Sequence, residues 1–139
     1  MDRFLIDTNV ILDYLVKREP YYEDANKIFT LCVETGLQGA IAAHSVTNCF
    51  YILRSTYSVK ERRELLINIC NLVDIVGVNR NIVLSALNNE AFEDFEDSVQ
   101  SECASDIGAD YIVTRNIKDF AHSSVPVILP EDLLNMLNY

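Results

Sequence analysis

The chain has 139 residues, 50% of them hydrophobic, with 4 Gly, 3 Pro and 4 Cys, and this suits one domain around a single core, residues 1–139, without long linkers. Its net charge of −10 is unevenly spread: residues 1–70 carry 8 Lys/Arg against 9 Asp/Glu, and residues 71–139 carry 3 against 12. That balance lacks the basic footprint of an ordinary nucleic-acid binder and leaves an acidic face, a place where cations collect, or a contact for a basic protein.

The first element is Arg3-Phe4-Leu5-Ile6, an apolar run that stops in Asp7-Thr8-Asn9. It reads as a short buried strand ending at a loop or a helix start. In a parallel sheet, ligands bind beyond the carboxyl ends of the strands, so Asp7 stands where a cation or hydrogen-bond donors must satisfy it. Capping of the helix that begins near Val10 is an equally good local reading. A strand this close to the first residue leaves no room for a signal peptide, and a cytoplasmic protein is expected.

Val10, Ile11, Tyr14 and Leu15 form a short amphipathic helix. Tyr22 to Glu34 follows, with Ala25, Ile28, Phe29 and Cys32 at helical spacing and Gly36 as its stop. Leu37 to Ala43 reads as a second buried strand, and Ser45 as the cap of a helix burying Val46, Cys49, Phe50 and Leu53. Thr35 to Leu53 has no formal charge, but its Gln, His, Ser, Thr and Asn make it a poor membrane span, and no membrane association is expected. Ser58 opens a further helix, and Val73 to Val78 is the third strand. Asn79 or Asn81 starts a helix through Leu87, and Asn88 to Asp94 is loop. Phe95 to Ile107 is a helix closed by Gly108. Tyr111 to Thr114 is the fourth strand and Val125 to Leu129 the last, before a helix opened by Pro130. Strands alternating with helices predict an α/β fold, a three-layer α/β/α sandwich around a parallel sheet. The four cysteines are far apart and read as buried reduced thiols. Asp13 falls in the first helix and is expected to make a local hydrogen bond.

Three polar clusters carry chemistry. Two end strands: Asp7-Thr8-Asn9 and Thr114-Arg115-Asn116. The third, Glu93-Asp94-Phe95-Glu96-Asp97, opens the helix that feeds the fourth strand, so it should lie near that strand's carboxyl end. Asp94 and Asp97 share a helix face. Carboxylates gathered without His or Cys partners point to Mg²⁺ or Mn²⁺ rather than Zn²⁺. Acids in a first helical turn also complement its dipole, and from spacing alone capping stands ahead of catalysis. His44 reads as a junction residue and His122 as exposed, which leaves Ser/His nucleophilic catalysis poorly supported. Arg115 and Lys118 suit phosphate contact or an exposed surface equally. No glycine-rich phosphate loop follows a strand, so a nucleotide-binding ATPase is not expected.

Phe4-Leu5-Ile6-Asp7-Thr8-Asn9-Val10, Asp94-Phe95-Glu96-Asp97-Ser98-Val99-Gln100 and Tyr111-Ile112-Val113-Thr114-Arg115-Asn116-Ile117-Lys118-Asp119-Phe120 together resemble the PIN-domain family, which includes nuclease toxins of VapC type. The resemblance implies a parallel sheet carrying acids that bind Mg²⁺ or Mn²⁺, and hydrolysis of RNA to a 5′-phosphate and a 3′-hydroxyl. Asp7 then matches the first acid, Asp97 the acid of the late helix, and Asn116 a position often held by Asp, with Asp119 supplying the missing charge. Asn48 falls where nuclease members usually have Glu; an amide oxygen ligates without bringing charge, which lowers the expected metal affinity. Apart from the resemblance, Asp94 is read as a compensating acid, and Thr8, Asn9 and Thr114 as supports that orient the carboxylates. The same resemblance implies a small basic antitoxin as partner, and homodimers, which are common among such domains. The rival implied by Asn48 and Asn116 is a degenerate PIN module that binds RNA or a protein and cuts nothing.

Overall fold

Five short strands, all parallel, form one sheet in the computed structural model, which describes residues 2–139. In chain order these are β1 (Arg3–Ile6), β2 (Gln38–Ala42), β3 (Asp74–Val76), β4 (Tyr111–Val113) and β5 (Val127–Ile128), and their order across the sheet is β3-β2-β1-β4-β5. Seven helices connect or follow them: α1 (Thr8–Leu15), α2 (Tyr22–Glu34), α3 (Ala43–Ile52), α4 (Val59–Leu72), α5 (Arg80–Asn88), α6 (Phe95–Asp106) and α7 (Pro130–Met136). Short 3-10 turns cover Leu53–Ser55 and Ile117–Phe120.

The two-residue period of a strand explains the layers. Phe4 and Ile6 enter one core with residues of α1, α2, α4 and α7, among them Ile11, Phe29, Ile69 and Leu133. Leu5 points the other way, into a core with Ile82 and Ala86 of α5 and Val99, Cys103 and Ala104 of α6. The three apolar side chains of β1, Phe4, Leu5 and Ile6, are 1% exposed or less, as expected of a strand covered on both faces. Each such side chain contributes about 1.5–3 kcal/mol by leaving water.

From β1 the chain steps outward through β2 to β3, then returns across the sheet to pair β4 with the free side of β1: Phe4 stands opposite Tyr111 and Ile6 opposite Val113. The reversal leaves a crevice at the carboxyl ends of β1 and β4, the place where open α/β sheets bind ligands.

Several predicted boundaries shift. The second strand stops at Ala42, because α3 begins at Ala43; Ser45 is therefore inside the helix and fully buried, not its cap. Val73 to Val78 contributes only three paired residues and Val125 to Leu129 only two, since β3 and β5 are the sheet edges and have one partner each. Ser58 does open α4, in a capping box with Glu61. Gly36 follows α2 at φ +71°, the left-handed conformation that lets a chain leave a helix. The cysteines are all free, but Cys70 lies on the solvent side of α4 and is exposed, against the expectation of burial.

Asp13 corrects another expectation. It is 1% exposed, and its carboxylate is gripped in bidentate fashion by Arg115, from the loop after β4, at 2.6 and 3.1 Å. Arg18 adds a longer contact at 3.4 Å, and the Arg115 guanidinium also lies 3.9 Å from the Tyr21 ring centroid. This pins the start of the β4 loop to α1. Removal of Arg115 strands a buried charge, so Arg115→Ala is expected to lower unfolding stability by about 3 kcal/mol. Arg18→Ala, which loses a largely exposed partner, should cost less than about 1 kcal/mol; urea denaturation of both variants checks the contrast.

Candidate functional site

Asp7 ends β1 and begins α1. Its backbone N–H continues the sheet to the Val113 carbonyl at 2.9 Å, while its carbonyl accepts the first helical bonds of α1. The side chain is 5% exposed and fully engaged: Oδ1 accepts from the Thr8 N–H at 2.8 Å, and Oδ2 from the Thr114 hydroxyl at 2.8 Å and the Asn9 amide at 3.2 Å. Thr114, at the end of β4, also accepts from Asn9 and from the Asn116 N–H. These donors hold the carboxylate in one orientation without neutralising it. Burial pushes its pKa up to about 6; the Thr114 and Thr8 hydrogen bonds oppose the rise, and the charges of Glu96 and Asp119 add to it.

Asp97 stands in the first turn of α6. Burial pushes its pKa up to about 7, and the charges of Asp94, Asp7, Asp119 and Glu96 push in the same direction. Asp94 caps the helix, its Oδ1 accepting from the Asp97 N–H at 3.1 Å. Asp119 is exposed in the 3-10 turn after β4, and a cavity of about 320 Å³ is lined by Asp94, Asp97, Lys118, Asp119 and His122 among others. The ends of β1 and β4 and the start of α6 therefore present their carboxylates to one shared electrostatic field.

The remaining sequence candidates have differing placements. Asn116 is exposed and bonds through its backbone to Thr114 and Asp119. Asn48 is half-buried on α3, beside buried Cys49, whose thiol is pushed up to about 12 by burial and then by Glu96 and Asp7. Thr8 turns away from Asp7: its hydroxyl donates to Glu96 at 3.2 Å. Gln100, fully buried on α6, donates to Thr8 and Ser45 at 3.2 and 2.7 Å, and the Thr8 and Ser45 hydroxyls share a bond of 2.9 Å. Glu96, Gln100, Ser45 and His44 thus belong to the same crevice, and a reading of the sequence for apolar faces passes over them. The available signal was Glu96 and Gln100 at i, i+4 on a helix that has to bury most of its surface.

Among the described residues, no three His, Cys, Asp or Glu side chains form a ready-made metal-holding group. The chemistry of the donors nevertheless fits a hard dication. They are carboxylate oxygens whose ionisation is disfavoured by burial and by one another, and Mg²⁺ commonly takes one or two carboxylates and keeps several waters.

The family model described as PIN domain matches residues 3–118. A comparison with curated proteins finds no match. Among solved structures, the chain is similar to a toxin–antitoxin complex from Klebsiella pneumoniae, at 20% identity and TM-score 0.67, over 91% of this chain and 96% of that one. It is similar to DNA-bound VapBC from Salmonella typhimurium at 14% identity and TM-score 0.73, over 94% and 99%. It is also similar to VapC20 of Mycobacterium tuberculosis, described as a sarcin-ricin loop cleaving toxin, at 10% identity and TM-score 0.63, over 78% and 86%.

The raised carboxylate pKa values bear on stability. The folded chain keeps protons at Asp7 and Asp97 that the unfolded chain releases near pH 4, so these groups cost stability increasingly as pH rises from about 4 to about 7. Without divalent ions, Asp97→Asn should therefore raise the thermal midpoint more at about pH 8 than at about pH 5. Calorimetric scans at the two pH values measure that difference.

Proposed function

The chain belongs to the PIN-domain family, and from that premise we propose that it is a ribonuclease that hydrolyses RNA phosphodiester bonds with Mg²⁺ or Mn²⁺. The observation that carries this reading is the convergence of three separate stretches of chain on Asp97, which lines a cavity with Asp119 and whose pKa is raised by the charges of both Asp7 and Asp119. A family model over most of the chain and a fold shared with VapC structures support it.

In this reading Asp7 and Asp97 hold the ion. Thr114, Asn9 and the Thr8 N–H fix Asp7, so no reorientation is needed when the ion arrives. Asp94 sets the start of α6, and Asp119 adds negative charge at the solvent edge. Lys118 lines the cavity beside Asp97 and Asp119 and is placed to meet an RNA phosphate. A bound Mg²⁺ or Mn²⁺ supplies neutralisation of the phosphate charge and a lower pKa for water. It also answers the chain's acidity, since the ion inverts the local sign where the polyanion enters. Asn48 and Asn116 contribute neutral oxygens at most.

We read the protein further as the toxin of a toxin–antitoxin pair acting in the cytoplasm. The Klebsiella and Salmonella structures are of toxin–antitoxin and VapBC complexes. The excess of acid in residues 71–139 suits a small antitoxin with a basic segment. Co-purification with the neighbouring reading frame tests this, and two separately eluting proteins contradict it. The rival, a PIN module that binds without cutting, draws on Asn48, Asn116 and the lack of a three-carboxylate group among the described residues.

Cleavage of mixed RNAs with Mn²⁺ decides between cutting and binding. Wild type should cut, and Asp7→Asn and Asp97→Asn should each reduce cutting to background while remaining folded. Because both carboxylates must lose their protons to hold an ion, activity should rise with pH through about 6 to 7 and then level off. Cutting that survives both substitutions places the centre elsewhere.

A further inference from the structure

Asp97 and Glu96 are adjacent on α6, yet they serve different sides of the crevice. Asp97 lines the cavity with Asp94 and Asp119. Glu96 reaches across to the start of α1, where its Oε1 accepts from the Thr8 hydroxyl at 3.2 Å, one residue from Asp7. The N–H of the same Thr8 donates to the Asp7 Oδ1 at 2.8 Å, so one residue links the two carboxylates.

Among the described residues, no Lys or Arg side chain pairs with Glu96. Its one ion-pair contact among them is with the His44 Nε2, at 4.0 Å, which is beyond hydrogen-bond distance. The Glu96 side chain is 41% exposed and therefore open to an ion arriving from solvent.

A second, independent observation comes from hydrogen-bond accounting. The buried side-chain polar atoms without a partner, among the described residues, are His44 Nδ1, His44 Nε2 and Gln100 Oε1. All belong to the two residues that neighbour Glu96 through its own contacts: His44 at 4.0 Å, and fully buried Gln100 through the Thr8 hydroxyl that both residues bind. Buried polar atoms are paired in nearly all folded proteins, and unpaired ones gathered at one place point to a polar ligand there. A hydrated dication answers both needs, because its charge meets the carboxylates and its waters are donors of the kind Gln100 Oε1 lacks.

We propose that Glu96 is an ion-holding residue of this site, joining Asp7 from the start of α6 across the Thr8 hydroxyl. The proposal rests on the metal-dependent reading given above and adds to it a carboxylate that strand ends and helix caps do not identify. It also accounts for the neutrality of Asn48: the charge on that side of Asp7 is delivered by α6 instead of α3.

Mn²⁺ binding by isothermal calorimetry tests this on the intact chain, with Glu96→Gln, Asp7→Asn and the remote surface variant Glu64→Gln. An amide oxygen still accepts from Thr8, so Glu96→Gln should unfold within a few degrees of wild type while binding Mn²⁺ at least about tenfold more weakly. Glu64→Gln should bind as wild type does, which separates a site effect from loss of one charge in an acidic protein. Unchanged affinity in Glu96→Gln, with binding lost in Asp7→Asn, overturns the role of Glu96 and leaves the metal site standing. No binding by wild type overturns both. Paramagnetic broadening of wild-type amide signals by Mn²⁺ needs no variant: Thr8, His44 and Glu96 should fade at the lowest additions. Persistence of those signals while Asp119 fades overturns the proposal.

Discussion

A carboxylate buried at the end of the central strand governs the construction of this molecule. Asp7 is 5% exposed, and the cost of putting its charge there is met by donors from three directions: the backbone at Thr8, the amide of Asn9 and the hydroxyl of Thr114. Those donors orient the group and still leave its pKa near 6, because burial and neighbouring acids outweigh them. The neighbours are not incidental. Asp97, Asp119 and Glu96 come from elements whose ends the sheet order brings to the same edge, and each of those elements is fixed for other reasons. α6 is held by the core beneath Leu5, and the β4 loop by the grip of Arg115 on Asp13. The fold is thus arranged to concentrate like charge, and the carboxylates hold their protons to higher pH as a result.

Much of the fold was legible because it depends on short-range pattern. Short apolar runs, bounded by turn residues and alternating with amphipathic segments, mark all five strands and the parallel sheet. The helix start at Ser58 and the stop at Gly36 follow local rules, and the structure keeps both. Misreadings arose where a partner distant in sequence decides the outcome. Ser45 has the chemistry of a helix cap, but Thr8 and Gln100 claim its hydroxyl. Asp13 looks like a residue with local bonds, but Arg115 lies 102 positions away. Edge strands shrink because pairing, not hydrophobicity, ends them.

The candidate site divides along the same line. Asp7 stands out from sequence because it ends an apolar strand, and Asp97 because the family resemblance singles it out of the acidic run that chain order places at the same edge of the sheet. Glu96 does not stand out: it sits within an acidic run whose members look interchangeable until the helix gives each a direction. Successive residues on a helix point about 100° apart, so Asp97 turns toward Asp119 and Glu96 toward Thr8 and His44. Gln100 and Ser45 escape notice for a related reason. Polar side chains at full burial contradict a pattern read for apolar faces, and only the tertiary contact between α1, α3 and α6 explains them.

The carboxylates of Asp7, Asp119 and Glu96 all weigh on Asp97, in one field that a bound dication would relieve. Carbon-detected NMR titration of the Asp7 and Asp97 carboxyl groups measures it directly. Without divalent ions the two should titrate together with apparent midpoints of about 6 and about 7, and saturating Mg²⁺ should lower both. Independent midpoints near the ordinary aspartate value of about 4, unmoved by Mg²⁺, would contradict the account.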